Sequence, residues 1–262
     1  MKKLQNIEKS KVSVIFIGFI FIFWELIVRG GMVPAYILPA PTKVLYTLIK
    51  IFPDMLQHLI ITLYEAFLGF IMAILLSIII AVMMDGIMVF KKALYPIIIT
   101  SQTIPIITLA PLFAMWFGYG YLPKIVVVVL VCFFPITVSL LEGLASVDDE
   151  LLGLLKSMGA SKLQIYKMVK FPAVMPNFFS GLKISGTYSI MGAIIGEWMG
   201  GKKGLGVYMI RVRHSFAIDK VFATIIVITL LSIILLKLIN ILEKKCMPWS
   251  RYLNKDYEEE IL

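Results

Sequence analysis

Residues 59–84 read LIITLYEAFLGFIMAILLSIIIAVMM, and Glu65 is the single charged side chain in this run. About 20 apolar residues suffice to cross the roughly 30 Å of hydrocarbon in a bilayer. Such a segment must be helical, because an open strand in lipid would leave its backbone hydrogen-bonding groups unpaired. The stretch therefore predicts a membrane-spanning helix, and it decides the fold class of the chain.

Five further apolar stretches lie on either side of this one. In total 60% of the 262 residues are hydrophobic, whereas soluble domains average about 45–50%, and the excess falls in long runs. We therefore predict an all-α, polytopic membrane protein of about six transmembrane helices. The predicted spans are residues 12–28, 59–84, 93–116, 125–141, 178–196 and 221–242.

The basic residues flank these apolar runs and give the chain a net charge of +9. With the N-terminus placed in the cytoplasm, the inside segments hold 14 Lys and Arg residues, the outside segments hold 9, and two more lie within spans. This excess has the sign that the positive-inside rule requires. We expect a multi-pass protein with both termini cytoplasmic, the lipid bilayer as its surroundings, and no nucleic-acid partner.

The longest inside loop, residues 142–177, carries two short amphipathic helices. Ser146 with Asp149 matches a capping box that opens the first helix, and Ser161 with Gln164 repeats the pattern for the second. Gly159 separates the two. Each helix is too short to span a bilayer, so we expect both to lie at the cytoplasmic face.

The sequence also predicts where the second short helix ends and which face of the first short helix is apolar. Pro172 and Pro176 are expected to end the second helix. A helix pair lying on the membrane surface and a docking element for a soluble partner explain the pattern equally well. The first helix carries an apolar stripe at helical spacing, formed by Leu151, Leu152, Leu154, Leu155 and Met158.

The third predicted span contains three prolines, Pro96, Pro105 and Pro111. Each removes a backbone hydrogen bond and kinks a helix unless neighbouring groups compensate. Broken helices in transporters often line the solute path. We therefore expect Pro105 and Pro111 to lie near a translocation pathway.

Two carboxylates, Glu65 and Glu197, fall near the outer ends of their spans. A carboxylate that faces lipid costs a few kcal/mol, so at least one should face the pathway or pair with a loop cation such as Arg211 or Arg213. The alternative is a carboxylate at headgroup level that water solvates. The last outside loop opposes the positive-inside trend and is expected to attract an acidic protein surface or an anionic solute; its basic residues are Lys202, Lys203, Arg211 and Arg213.

No catalytic or metal-binding motif emerges from the sequence. Cys132 and Cys246 lie far apart, and there is neither an HExxH motif nor a Cys/His cluster. Residues 196–203, GEWMGGKK, approach the phosphate-binding pattern GxxxxGK[ST]. They lack its final Ser or Thr and follow an apolar span instead of a buried strand. We expect no enzymatic activity, no cofactor and no metal.

The helix–Gly–helix loop resembles a hallmark of bacterial binding-protein-dependent ABC importer permeases. That family has the pattern Glu-Ala-Ala, three residues, Gly, nine residues and Ile-x-Leu-Pro. In this chain Gly159 is followed by nine residues and then by VKFP, which ends at Pro172. The Glu-Ala-Ala positions are occupied by Gly153, Leu154 and Leu155, which departs from the family.

Further stretches are similar to the nitrate, sulfonate and taurine branch, which also includes permeases for thiamine-pyrimidine precursors and riboflavin. They are LPAP at residues 38–41, WFGYG at 116–120, EWMG at 197–200 and GLG at 204–206. The resemblance runs from about residue 38 to residue 242. It implies the type I importer permease fold in the bacterial cell membrane.

The same resemblance implies the organisation and the partners. One permease domain would fill residues 1–262, with a tail and first span at 1–30, a core at 55–245, the coupling loop at 142–177 and a cytoplasmic tail at 246–262. A second copy, two cytoplasmic ATPases and an external solute-binding protein would complete the importer. The ATPase-coupling residues would be Gly153, Leu154, Leu155, Gly159, Ala160, Ser161, Val169 and Pro172.

Two alternatives remain open, an ATPase-independent channel or secondary transporter and a structural membrane subunit. A secondary transporter predicts ionisable residues deep within its spans. Glu65 is the best candidate, whereas Lys183 and Lys237 are expected to extend their ammonium groups to the interface. Co-purification of an ATPase with the chain would exclude both alternatives.

Overall fold

A computed structural model describes residues 2–249, with side chains at residue 12 and residues 15–249, and this part of the chain contains helices and no strand. A π-helical turn, Tyr166–Lys170, joins the seventh α-helix to the eighth. The α-helices are α1 (Lys2–Arg29), α2 (Pro41–Gly86), α3 (Met88–Ser101), α4 (Ile106–Phe117), α5 (Leu122–Ala145), α6 (Asp149–Ser157), α7 (Lys162–Ile165), α8 (Phe171–Trp198), α9 (Leu205–His214) and α10 (Ile218–Cys246).

Four helical segments in the described residues are long and apolar enough to cross a membrane. They are α2, α5, α10 and the continuous segment Lys162–Trp198 that ends in α8. The bent pair of α3 and α4 would make a fifth. The predicted first span, residues 12–28, lies in α1, and part of its side chains fall outside the described residues. The prediction of an all-α polytopic protein is confirmed.

The third predicted span is broken into two helices. α3 and α4 are inclined to each other by 103° across the short break between them. Pro105 immediately precedes α4, with an extended backbone at φ −63° and ψ 112°. A proline disfavours helical geometry at the residue before it, so the chain turns here. Pro96 and Pro111 lie inside α3 and α4, and neither interrupts its helix.

The core of the bundle forms around α5, which packs mainly against α8 and α2. Val128 on α5 is fully buried. A Cβ atom added at Gly69 of α2 would overlap the Val128 side chain, so the absence of a side chain lets the two helices approach closely. Inside a bilayer such close packing replaces the hydrophobic effect as the force that holds helices together.

The structure corrects the predicted start of the first short helix. Asp148, rather than Ser146, caps α6, because its carboxylate accepts a hydrogen bond of 2.8 Å from the Glu150 backbone N–H. The Ser146 hydroxyl instead donates to the Gly143 carbonyl at the end of α5. Asp and Ser are both good N-caps, so the choice between them depended on where α5 ends.

The predicted end of the second short helix is also wrong. Pro172 and Pro176 do not stop it, because α7 continues through the π-helical turn into α8. Pro172 is the second residue of α8 and follows the π-helical turn almost directly. The wider π-helical turn before it, with hydrogen bonds between residues five apart, leaves room for its ring. The second short helix is therefore the beginning of a membrane span.

Candidate coupling segment and buried polar cluster

Helix α6 lies at the surface of the protein. None of its nine residues is buried. Leu154 is 58% exposed, and Met158, which follows the helix, is 74% exposed. Asp149 and Glu150 in the first turn and Lys156 in the last turn match the helix dipole. The helix therefore presents an apolar face that no described part of this chain covers.

A tight turn fixes α6 relative to α7. The N–H of Gly159 donates to the Lys156 carbonyl, and the N–H of Ala160 donates to the Leu155 carbonyl, both at 3.0 Å. This pair of bonds is a Schellman motif, which places its glycine in the left-handed region, and Gly159 has φ +82°. The two helices are thus joined rigidly rather than by a flexible linker.

The predicted capping box at the start of α7 is present. The Ser161 N–H donates to the Gln164 side-chain oxygen at 2.8 Å, and the Gln164 N–H donates to the Ser161 hydroxyl at 3.3 Å. Together with the Schellman motif, this box gives hydrogen-bond partners to the backbone groups on both sides of the turn.

The residues predicted for ATPase coupling form one continuous segment, but they differ in exposure. Gly153, Leu154, Gly159 and Ser161 are exposed, and Leu155 and Ala160 are half-buried. Val169 and Pro172 are also half-buried, and they lie where the segment enters α8.

A polar cluster that sequence reasoning missed ties this segment to α2. Asp85, near the end of α2, forms an ion pair of 2.6 Å with Lys170 and accepts a hydrogen bond from the Tyr166 hydroxyl. The π-helical turn carries both partners. No local signal links these residues, because more than 80 positions separate Asp85 from each of them.

At the other end of the bundle, Glu65 and Glu197 are buried within the protein. Glu65 forms an ion pair of 2.7 Å with Lys124, the second residue after the start of α5. Glu197 accepts hydrogen bonds from the Thr62 hydroxyl at 2.6 Å and the Gly206 N–H at 2.5 Å. The cation that pairs with Glu65 is therefore Lys124, and neither Arg211 nor Arg213 takes that place.

Side chains distant in sequence cap the start of α9. Three successive N–H groups, those of Gly204, Leu205 and Gly206, donate to His58 Nδ1, the Thr62 hydroxyl and the Glu197 carboxylate. The first N–H groups of a helix have no partner within it. This network supplies those partners from α2 and α8, so it holds the α8–α9 connection against the bundle.

The remaining predicted residues lie on exposed surfaces. Pro105 and Pro111 are exposed on the broken third span. The basic residues Lys202, Lys203, Arg211 and Arg213 are also exposed, on the α8–α9 connection and on α9. α8 has 28 residues, which at 1.5 Å each makes about 42 Å. The basic residues and the coupling segment therefore lie at opposite ends of α8.

Comparison with known proteins identifies the family. A family model described as "Binding-protein-dependent transport system inner membrane component" matches residues 73–247. The formylaminopyrimidine transport permease protein ThiX of Halalkalibacterium halodurans is 35% identical over 90% of this chain and 95% of its own length. The putative aliphatic sulfonates transport permease protein SsuC of Bacillus subtilis is 28% identical over 88% of this chain and 84% of its own.

A solved structure shares the fold. In a crystal structure of an amino acid ABC transporter with histidines, one chain aligns with a TM-score of 0.59 and 18% identity, covering 78% of this chain and 97% of that one. The family resemblance, the multi-pass membrane architecture and the type I permease fold predicted from the sequence are confirmed. The chain belongs to the binding-protein-dependent transport system inner membrane components, the permeases of ABC importers.

Proposed function

We propose that this chain couples a solute pathway to two cytoplasmic ATPases through the exposed apolar face of α6. The observation that carries the proposal is this face, held in a fixed orientation by the turn at Gly159. Leucine side chains exposed in this way gain roughly 1.5–3 kcal/mol each when a partner buries them fully.

The charges of α6 favour a protein partner over the membrane surface. Helices that lie on a bilayer are rich in Lys and Arg on their polar face. α6 instead begins with Asp149 and Glu150, directly after Asp148, and Lys156 is its one basic residue. The three carboxylates at its start make α6 unsuited to lie flat along an anionic lipid surface.

Coupling would proceed through the continuous helix. ATP-driven closure of the ATPases would move α6 and α7, and α7 continues through the π-helical turn into α8. α8 packs extensively on α5, so a shift of the coupling segment would reach the core of the bundle. The pathway would change between inward-facing and outward-facing states by differential ATPase binding.

The assembly we propose contains two copies of this chain, two ATPases and an external solute-binding protein. Both termini would be cytoplasmic, as the Lys and Arg distribution favours. That orientation places Lys202, Lys203, Arg211 and Arg213 outside, where they would face the binding protein or attract an anionic solute.

The solute we propose is a formylaminopyrimidine-like thiamine precursor, with a sulfonate, taurine or nitrate-like solute as the alternative. The 35% identity to the formylaminopyrimidine permease, against 28% for the sulfonate permease, supports this order. Uptake of each labelled solute by the complete importer distinguishes the two classes.

Co-purification of the ATPase tests the coupling proposal. The double variant Leu154→Asp/Leu155→Asp and the single variant Gly159→Asp should insert into the membrane normally but lose the ATPase and solute uptake. Ser157→Glu is the matched control, because it adds a carboxylate to an exposed position of α6 that is outside the apolar stripe and the predicted coupling residues, and it should keep both. Full ATPase binding and uptake by the double aspartate variant would exclude α6 as the coupling element.

A further inference from the structure

Two cavities adjoin where the coupling segment enters the bundle. The first is an apolar groove with about 190 Å³ of free space between α2, α5 and the start of α8. The second is a polar cavity of about 220 Å³ beneath α6 and α7. Tyr166 and Lys170 line both cavities. The groove is lined mainly by Ile78, Val82, Leu140, Leu144, Phe171 and Phe178.

The polar cavity has an excess of positive charge. Its ionisable side chains are those of Asp85, Lys156, Lys162, Tyr166 and Lys170. Asp85 is neutralised by the ion pair with Lys170, whose ammonium also lies 4.8 Å from the centre of the Tyr166 ring. Neither Lys156 nor Lys162 has an ion-pair partner among the described residues. Two positive charges are therefore available to an anion.

We propose that these two cavities together bind one anionic phospholipid. An acyl chain occupies the apolar groove, and the phosphate lies in the polar cavity within reach of Lys156 and Lys162. Basic pockets between transmembrane helices on the cytoplasmic side are suited to anionic headgroups. The assignment to the cytoplasmic leaflet rests on the orientation in the proposed function, but the binding geometry does not.

A phospholipid fits both cavities better than other occupants do. Free phosphate would neutralise the lysines but leave the apolar groove open. The apolar face of a second permease copy would fill the groove but would supply no counter-ion to Lys156 and Lys162, which are both exposed. The π-helical turn also supports a binding role, since such turns are frequent at functional sites. Here it directs Tyr166 and Lys170, four residues apart, towards the same carboxylate.

The bound lipid would link α2 and α5 to the coupling segment, because the groove is lined by both helices and the polar cavity by α6 and α7. Anionic lipid should therefore hold the coupling segment against the bundle. A neutral lipid with the same acyl chains would fill the groove without this electrostatic contact.

Native mass spectrometry of the purified full-length permease tests the proposal with phosphatidylglycerol and phosphatidylcholine of equal chain length. Lys156→Gln/Lys162→Gln should weaken phosphatidylglycerol binding about thirtyfold, at about 1 kcal/mol per lysine. The matched control Lys244→Gln/Lys245→Gln removes two exposed lysines from the end of α10 and should leave binding unchanged. Val82→Trp should narrow the groove and weaken binding of both lipids.

Several results would overturn the proposal. One is an equal loss of phosphatidylglycerol binding in the two double-lysine variants. Others are equal affinity of the wild-type permease for both lipids and displacement of phosphatidylglycerol by millimolar inorganic phosphate. Cross-linking of a Val82→Cys variant to the second copy in membranes would assign the groove to the subunit interface instead. Lipid binding is measured on the permease without ATPase, so its result does not depend on whether α6 couples to the ATPase. In the same way, loss of lipid binding would not contradict the ATPase co-purification test.

Discussion

The carboxylate of Glu65 and the ammonium of Lys124 meet at 2.7 Å inside the bundle, although 59 positions separate them in the chain. Their side chains are 0% and 8% exposed. This ion pair joins α2 to the first turn of α5. Because both charges are removed from water, each depends on the other for compensation.

Single substitutions in this pair should destabilise the protein more than removal of both charges. Glu65→Leu or Lys124→Met leaves one buried charge unpaired, at an expected cost of about 3–5 kcal/mol. Glu65→Leu/Lys124→Met should recover most of that loss. The measurement is thermal unfolding of the purified permease, and additive losses in the double variant would show that the two residues act independently.

Glu197 should hold the α8–α9 connection in place. Glu197→Ala leaves the Gly206 N–H without an acceptor, and a buried donor left unsatisfied costs about 1–3 kcal/mol. The Thr62 hydroxyl keeps only the His58 carbonyl, at 3.2 Å. Glu197→Gln retains one acceptor oxygen and should have a smaller effect. Hydrogen exchange at residues 199–206 should rise most in Glu197→Ala. Unchanged exchange in both variants would contradict this role.

Two glycines of the coupling segment should respond in opposite ways to alanine. Gly159→Ala forces a side chain into the left-handed region and should cost about 1–2 kcal/mol. Gly153→Ala lies within α6, where alanine favours the helix by about 0.8–1 kcal/mol. A Cβ atom at either position meets no neighbouring atom, so backbone conformation alone separates them.

Hydrogen exchange in residues 149–165 measures this difference. Protection should fall in Gly159→Ala and rise in Gly153→Ala. A similar change in both variants would mean that the turn tolerates a side chain at residue 159.

The proposed topology makes Cys246 accessible only from the cytoplasm. Cys246 is exposed at the end of α10, and Cys132 is buried in the core. A membrane-impermeant thiol reagent should therefore label the chain in inside-out vesicles but not in intact cells, and Cys246→Ser should abolish the labelling. Labelling of Cys246 in intact cells would reverse the orientation and place the coupling segment outside.

The outer basic residues should make uptake sensitive to salt. Attraction between exposed charges is screened over about 8 Å at physiological ionic strength. Neutralising Lys202, Lys203, Arg211 and Arg213 to glutamine should therefore remove the salt dependence of uptake. Arg211 and Arg213 lie in the last turn of α9, where they also favour the helix dipole. The double variant Lys202→Gln/Lys203→Gln is thus the safer first test, and an unchanged salt response would exclude a steering role.

Local features were predictable because local interactions produce them. The long apolar runs, the proline at the broken third span and the box of Ser161 with Gln164 follow from hydropathy and short-range hydrogen bonding. The roles of the residues assigned to the coupling loop and the pathway stay predictions, because the isolated chain contains none of the proposed partners.

Predictions from the sequence were wrong where a local rule allowed more than one structure. Asp148 and Ser146 both make good caps, and the length of α5 decided between them. Pro172 would end a regular helix, but a π-helical turn before it lets the helix continue. Neither α5's length nor the π-helical turn has a reliable signal in a single sequence.

The sequence by itself determined a polytopic helical membrane protein with an amphipathic helix–Gly–helix segment, since hydropathy and capping act over a few residues. The tertiary structure alone decided the partners of the buried charges. A charge within a span signals that it needs a partner, but it does not say which one. Lys124 for Glu65, Thr62 and Gly206 for Glu197, and Lys170 for Asp85 were selected by helix packing, because burial leaves each carboxylate only the donors that adjacent helices bring within reach.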